Sequence, residues 1–314
     1  MQHADSSGNG NVSMKNEPVS LEEQIAMLEA SGDYRVLRRL RATPHYHAPG
    51  SEPVTLALAL DVETTGLSTT TDCIIQLALV PFTYGRETGT IYQVRSPLVF
   101  FEDPGFPLPD EITRLTGITD ADVAGQRIDD DAVATLLKAA GLVIAHNAAF
   151  DRPFAEKRLA KFEKKPWACS MNDVGWKQWG YEYVSLSYLC FRHAGVFFDA
   201  HRADADCYAL IHLLATPFPD GTLPMQALLA RARTPYAGLW AAETRIGANE
   251  LLKQRGYHWR PATAKRPKAW YKELPATDIE AEKAWLSTNI YQGTSPNLLI
   301  DALDERRRFS ASER

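Results

Sequence analysis

The sequence predicts an α/β fold, a mixed sheet with helices packed on it, followed by a small α+β appendage. Three observations carry this reading. Apolar stretches at hairpin-like spacing (54–63, 74–82 and 90–101) open the middle of the chain. Helical and strand-like segments alternate after them, which is the signature of helices laid on a sheet. The chain is also long enough: 314 residues, 45% hydrophobic and 23% charged, suit a large core and roughly two domains. That composition excludes a wholly disordered chain, a collagen and a disulfide-stapled miniprotein.

Taken in order, residues 1–18 are Ser, Gly and Asn with almost no large apolar side chain, and read as a disordered lead. Ser20 and Glu23 have the spacing of a capping box, which predicts a helix of about ten residues ending near Gly32. A second short amphipathic helix is expected over 34–40, and the Pro- and Gly-containing stretch 43–53 reads as a linker. Val54–Glu63 is a buried strand ending in two carboxylates. Ile74–Phe82 is a second strand and Thr90–Phe101 a third, with Pro97 marking a bulge or edge. Asp129–Ala140 is helical, Leu142–Ala145 a short buried strand, and Phe150–Phe162, Leu186–Ala194 and Asp204–Leu214 are helices. Beyond Pro219, helices are expected at 225–233, 248–254 and 278–286. Two strands, 257–259 and 269–271, are joined by a Pro- and Lys-rich loop. The expected domains are therefore 1–52, 53–218 and 219–314. The tail Arg306-Arg307-Arg308 reads as a solvated charge run.

The net charge of −5 is uneven: −2 over 1–52, −7 over 53–218 and +4 over 219–314. Such asymmetry suits an acidic metal site beside a basic binding surface. Four cysteines (Cys73, Cys169, Cys190, Cys207) stand far apart without a CxxC pair, so reduced and mostly buried thiols are expected and a zinc site is not. No apolar run approaches the roughly 20 residues of a membrane span. The polar N-terminal stretch lacks the apolar centre of a signal peptide, so a cytoplasmic location is expected.

Three strings carry chemistry. The first is Asp61-Val62-Glu63-Thr64-Thr65-Gly66-Leu67. On a strand, Asp61 and Glu63 face one side and repel unless a cation lies between them. An isolated Asp-x-Glu also fits a solvated strand end, but the Gly turn that follows is more specific. The second is His146-Asn147-Ala148-Ala149-Phe150-Asp151, which leaves a strand and opens a helix. Asp151 there also suits a helix dipole. The third is His201-Arg202-Ala203-Asp204-Ala205-Asp206, again entering a helix. His193 and His212 have nothing comparable around them and read as structural.

Together the strings resemble the DEDDh (DnaQ-like) family of 3′→5′ exonucleases, and within it the proofreading, epsilon-like branch. Asp61 and Glu63 match the first motif, Asp151 the second, and His201 with Asp206 the His-x-x-x-x-Asp third. Asp204 is an extra carboxylate inside that motif. Leu115-Thr116-Gly117-Ile118-Thr119 resembles a further segment of the same branch. The match covers about 55–215. It implies a ribonuclease H-like mixed five-stranded sheet with flanking helices. It also implies a substrate with a free 3′ end, from which nucleoside monophosphates are released. By the resemblance, Thr64, Gly66, Leu67, His146, Asn147 and Phe150 contact the terminal nucleotide, with Leu67 wedged beside its base. Single-stranded DNA is the expected substrate. An RNA-trimming enzyme is the alternative, and a non-catalytic nucleic-acid-binding module a third reading. A polymerase or a second copy of the chain is the expected protein partner, and no membrane.

The chemistry agrees with the resemblance. Four carboxylates suit two hard Mg²⁺ or Mn²⁺ ions, which can hold a scissile phosphate from both sides. His201 suits a general base. Carboxylates raise its pKa and metals lower it, and the sequence leaves the balance open. Lys157, Arg158, Lys161, Lys164 and Lys165 crowd one helix, as a solvated face or as phosphate contacts. Residues 247–273 hold seven basic and two acidic side chains among Tyr257, Trp259, Trp270 and Tyr271. They fit either a hairpin with its own aromatic core or a surface for single-stranded nucleic acid.

Overall fold

Strand β1 (Val54–Thr64) is apolar on both faces because it lies at the centre of a sheet covered on both sides. The computed structural model describes residues 19–262, 266–293, 298–304 and 306–310. Strand β2 (Ile74–Gly85) pairs antiparallel with β1 along its whole length, with Asp61 opposite Ala78 and Glu63 opposite Gln76. Two short strands, β3 (Ile91–Val94) and β4 (Leu98–Phe101), share the far edge of β2. The expected single strand over 90–101 is thus broken at 95–97. Pro97 lacks an N–H for the ladder, and Arg95 reaches back to the Pro81 carbonyl (2.8 Å). On the other side of β1 lies the parallel strand β5 (Leu142–Ala145), and beyond it the parallel β6 (Trp167–Cys169). The order is β3-β2-β1-β5-β6, with β4 also on β2. This is the ribonuclease H-like mixed sheet, with six strands because the third position is split.

Helices cover both faces. α2 (Asp130–Ala139), capped by Asp129, and α3 (Ala148–Arg158) pack over Leu58, Leu60 and Val143. α4 (Ala203–Ala215) and α5 (Pro224–Arg233) pack over Ala57, Ala59 and Val80. Small alanines at 57, 59 and 78 let α4 lie close on the sheet. The helix Leu186–Leu189 continues as a π-turn over 190–194. α3 stops at Arg158, with a 3₁₀ turn over 160–164 where the sequence reading ran the helix to Phe162. Leu115–Thr119 forms the turn between two short helices, with Ile118 buried and the Thr119 N–H on Asp122 (2.8 Å).

A second sheet follows. Its order is β8 (His258–Arg260), β9 (Ala269–Pro275), β7 (Tyr236–Ala241), β10 (Leu298–Leu303), all antiparallel. Strand β7 was not foreseen: Ala237, Gly238 and Ala241 favour strands weakly, and burial on both faces overrides that. Gly238 is needed there, since a Cβ would stand 2.7 Å from the Tyr271 ring. One face of this sheet packs against α6 (Ile279–Asn289) through Leu239, Tyr257, Trp270 and Leu286. The expected aromatic core is therefore present at Tyr257 and Trp270.

Residues 39–314 form one compact unit, and the segment ending at Arg38 another. In the latter, helix α1 (Leu21–Ala30) starts at the Ser20–Glu23 capping box (Ser20 N to Glu23 Oε2, 2.8 Å). The second amphipathic helix is absent: residues 34–37 are irregular and Arg38–Arg39 is extended. The expected disordered lead, 1–18, lies outside the described residues. Among the described residues no helix is long and apolar enough to cross a membrane. All four cysteines are free, three of them buried.

Candidate active site

Alternation along β1 sets the site. Asp61 and Glu63 continue the face of Ala57 and Ala59, which α4 covers. The first turn of α4 carries Asp206. Carboxylate oxygens of Asp61, Glu63 and Asp206 all lie within 4.8 Å of one another. Of the two carboxylates in the third string, Asp206 is the one that joins the pair. Asp204 instead stands 3.8 Å from the Arg202 guanidinium. Asp151 arrives from α3, which follows β5. Because β1 and β5 run parallel, both chains leave the sheet at the same end, where ligands of such sheets bind. Asp151 is 3% exposed, and its Oδ1 accepts the Val62 N–H (3.3 Å).

The four carboxyls disturb one another. Burial, then the charges of Asp151, Asp206 and Glu63, hold Asp61 well above the usual carboxylate range. Glu63 is pushed up to about 7 by burial and by Asp206. Asp151 is raised to about 8 by burial, against the opposing Val62 hydrogen bond. Asp206 is raised to about 6 by burial, with the Arg202 N–H and His201 acting against it. Such a cluster of hard oxygen donors keeps its charge only around a cation. The residues present therefore fit Mg²⁺ or Mn²⁺, and no nitrogen or sulfur ligand stands in the group that favours zinc.

His201 is exposed and adopts φ +66°, a left-handed turn just before α4. The loop after β1 is pinned from beneath. The Asp72 carboxylate accepts the Ser68 N–H (2.8 Å), and Lys157 Nζ donates to the carbonyls of Thr69 and Asp72 (2.7 and 2.9 Å). Gly66 admits that packing, since a Cβ would stand 2.6 Å from Asp72. Leu67 projects from the loop, 86% exposed. Leu67, Asn147 and Phe150 line a single pocket of about 370 Å³, with Thr69 and Pro153.

Two nucleotide-contact candidates are engaged inside the protein instead. Thr64 Oγ1 donates to the Gly66 carbonyl (2.6 Å). Buried His146 donates from Nε2 to the Val184 carbonyl (2.7 Å) and accepts the Ser170 hydroxyl at Nδ1 (2.8 Å). Burial pushes its pKa down to about 4, so the ring is neutral. Of the five basic residues on and after α3, Lys157 holds the loop. Arg158 pairs with Glu102 and Asp130, and Lys165 bonds the Ala140 carbonyl. Only Lys161 and Lys164 extend into solvent as expected. His193 and His212 bond Tyr181 and Tyr46, as structural histidines do.

One contributor was missed. Gln76 is 2% exposed, faces Glu63 across the ladder, and accepts the Ala203 N–H at the start of α4 (3.1 Å). It fixes the helix that carries Asp206. A lone amide inside Ile-Ile-Gln-Leu-Ala-Leu-Val was the signal for it.

Residues 58–214 match the family model RNase T, described as exonuclease. The chain is 31% identical over 167 residues to a DNA polymerase III PolC-type of Clostridium perfringens, covering 51% of this chain and 11% of that protein. It is 40% identical over 103 residues to the PolC-type polymerase of Listeria monocytogenes, covering 32% and 7%. The match thus spans about a tenth of these relatives or less. Among solved structures, E. coli Exonuclease I in complex with an oligonucleotide superposes with TM-score 0.46 at 14% identity, over 81% of this chain and 66% of that one. Exonuclease X in complex with 5′ overhanging duplex DNA gives 0.38 at 22%, over 54% and 99%. At that distance no detail of either complex transfers.

Proposed function

Because the chain belongs to the RNase T exonuclease family, we propose that it is a metal-dependent 3′→5′ exonuclease releasing nucleoside monophosphates from single-stranded DNA. The observation that carries this is the convergence of Asp61, Glu63 and Asp206 within 4.8 Å, with Asp151 behind them. These four residues would hold two Mg²⁺ or Mn²⁺ ions. When bound, such ions offset the carboxylate charge and polarise the attacked phosphate. His201, exposed at the mouth of the site, takes the proton from the attacking water. Leu67, Asn147 and Phe150 receive the terminal nucleotide. Leu67 parts it from its neighbour, and the Phe150 ring packs under it. His146 and Thr64 act one step back, holding the loops in place.

Two features support three finer assignments. DNA over RNA rests on the relatives, which are DNA polymerases. A polymerase as working partner rests on the same names. A cytoplasmic setting suits four free cysteines. The test is digestion of matched DNA and RNA 20-mers by one preparation. Mononucleotides released several-fold faster from DNA are the expected result; faster release from RNA would move the enzyme to RNA trimming.

A further inference from the structure

The basic, aromatic C-terminal region has no part in the chemistry above. Most of its charge is internally matched. Lys253 pairs with Glu250, Arg255 and Lys272 with buried Glu282, and Arg266 with Asp301. Its aromatics are not a stacking platform either. Tyr257 and Trp270 are core, and Trp259 packs edge-on against Trp270 at 5.6 Å.

What remains is concentrated on the other face of the second sheet. Alternation puts His258, Arg260, Tyr271 and Glu273 on that face. They line a groove of about 800 Å³, together with Arg231 and Tyr236. The Arg260 guanidinium lies 4.0 Å over the Tyr271 ring, and that of Arg231 lies 4.2 Å over Tyr236. Neither arginine has a carboxylate partner among the described residues, and the Arg231 Nε is buried without an acceptor. The one carboxylate in the wall, Glu273, accepts the Tyr271 hydroxyl (3.0 Å). A guanidinium held over a ring, with no carboxylate to claim it, keeps N–H donors for a phosphate. The groove also reaches the catalytic domain. Ala149 lines both it and the pocket of Leu67, Asn147 and Phe150.

We propose that this groove is the upstream track for the single-stranded substrate. It takes the sugar-phosphate backbone on Arg231 and Arg260 while the 3′ end occupies the Leu67–Phe150 pocket. The polarity of the strand rests on the exonuclease reading above; the presence of the track does not. Recognition is of phosphates, so it is blind to base sequence.

The test measures binding of a fluorescent dT20 in an Asp61→Asn background, which removes hydrolysis. It also measures turnover of the dinucleotide pdTpT in the otherwise native enzyme. Arg260→Gln is expected to weaken dT20 binding about tenfold, as loss of one charge-assisted phosphate bond does. The salt dependence, log Kd against log salt, should become shallower by about 0.7. Arg260→Lys should recover part of the loss. Turnover of pdTpT, which fills only the small pocket, should stay within twofold. Arg231→Gln is the second variant. Unchanged dT20 affinity in both Gln variants overturns the track. If dT20 binds in the Arg260-dependent manner yet the native protein cleaves neither substrate, the track stands and the exonuclease reading falls.

Discussion

At the residue scale the dominant fact is carboxylates forced together. Their folded pKa values lie above the ordinary carboxylate range of about 4. Between the two, the folded state holds more protons than the unfolded one. The metal-free fold therefore loses stability as pH rises through about 5 to 8. Bound divalent ions take the place of those protons. The gain in Tm on adding Mn²⁺ should then be larger at pH 8 than at pH 5.5, and Mn²⁺ affinity should tighten over the same range. A pH-independent gain would contradict the cluster as the binding site. His201 allows a cleaner substitution. Asn tolerates its left-handed backbone, so His201→Asn should fold normally while lowering kcat by about 10²–10⁴-fold, the contribution of a general base. Wild-type turnover in that variant would remove His201 from the reaction. The charged residues of the site were legible because strand alternation and helix entry fix where they point. The engagement of His146 was not legible. Its partners, Ser170 and Val184, are 24 and 38 residues away in sequence, and nothing local announces them.

At the scale of elements, Gln76 shows how a strand positions a helix. Its side chain accepts the N–H of Ala203, three residues before Asp206. In Gln76→Leu that buried donor has no acceptor, which costs about 1–3 kcal/mol, readable by urea unfolding. The helix start is then free to shift, and Mn²⁺ should bind about tenfold more weakly. Unchanged metal affinity in a destabilised variant would reduce Gln76 to a structural role. The central strands and α2–α4 were readable because long apolar runs and periodic faces survive any tertiary context. Several elements were not, β10 and the helix Asp110–Thr116 among them. Residues 34–40 have amphipathic spacing but form no helix. β6 has three residues and no period to read. β7 is Ala- and Gly-rich, and only its burial between two neighbours makes it a strand.

At the scale of the whole molecule, the distant end of the chain returns to the catalytic sheet. Arg308 is buried and pairs with buried Asp173 (2.6 Å), so of the expected solvated run Arg306 is exposed and Arg308 is not. Arg152, next to Asp151 on α3, donates to the carbonyls of Arg308 (2.6 Å) and Arg306, and its Nε meets Glu156 (2.6 Å). Ser310 donates to Glu156 as well (2.8 Å). Residues 306–310 are thus built into the support of α3. Arg308→Ala leaves Asp173 buried without its partner and should cost about 3–5 kcal/mol. Lys164→Ala, on the exposed surface, should cost no more than about 0.5 kcal/mol. Equal denaturation midpoints for the two would show that the segment does not support the fold. No sequence pattern signals this contact, because a three-arginine run looks the same in solvent or in a core.

The most direct measurement follows a 5′-labelled single-stranded DNA 20-mer over time with purified protein. It is run in Mg²⁺, in Mn²⁺ and in EDTA, beside Asp61→Asn and Asp206→Asn variants. A ladder that shortens from the 3′ end only with metal is the expected result. Each variant should slow it by about 10³-fold or more, as loss of several kcal/mol of transition-state stabilisation requires. A ladder that persists in EDTA, or that proceeds undiminished in either variant, would contradict that expectation.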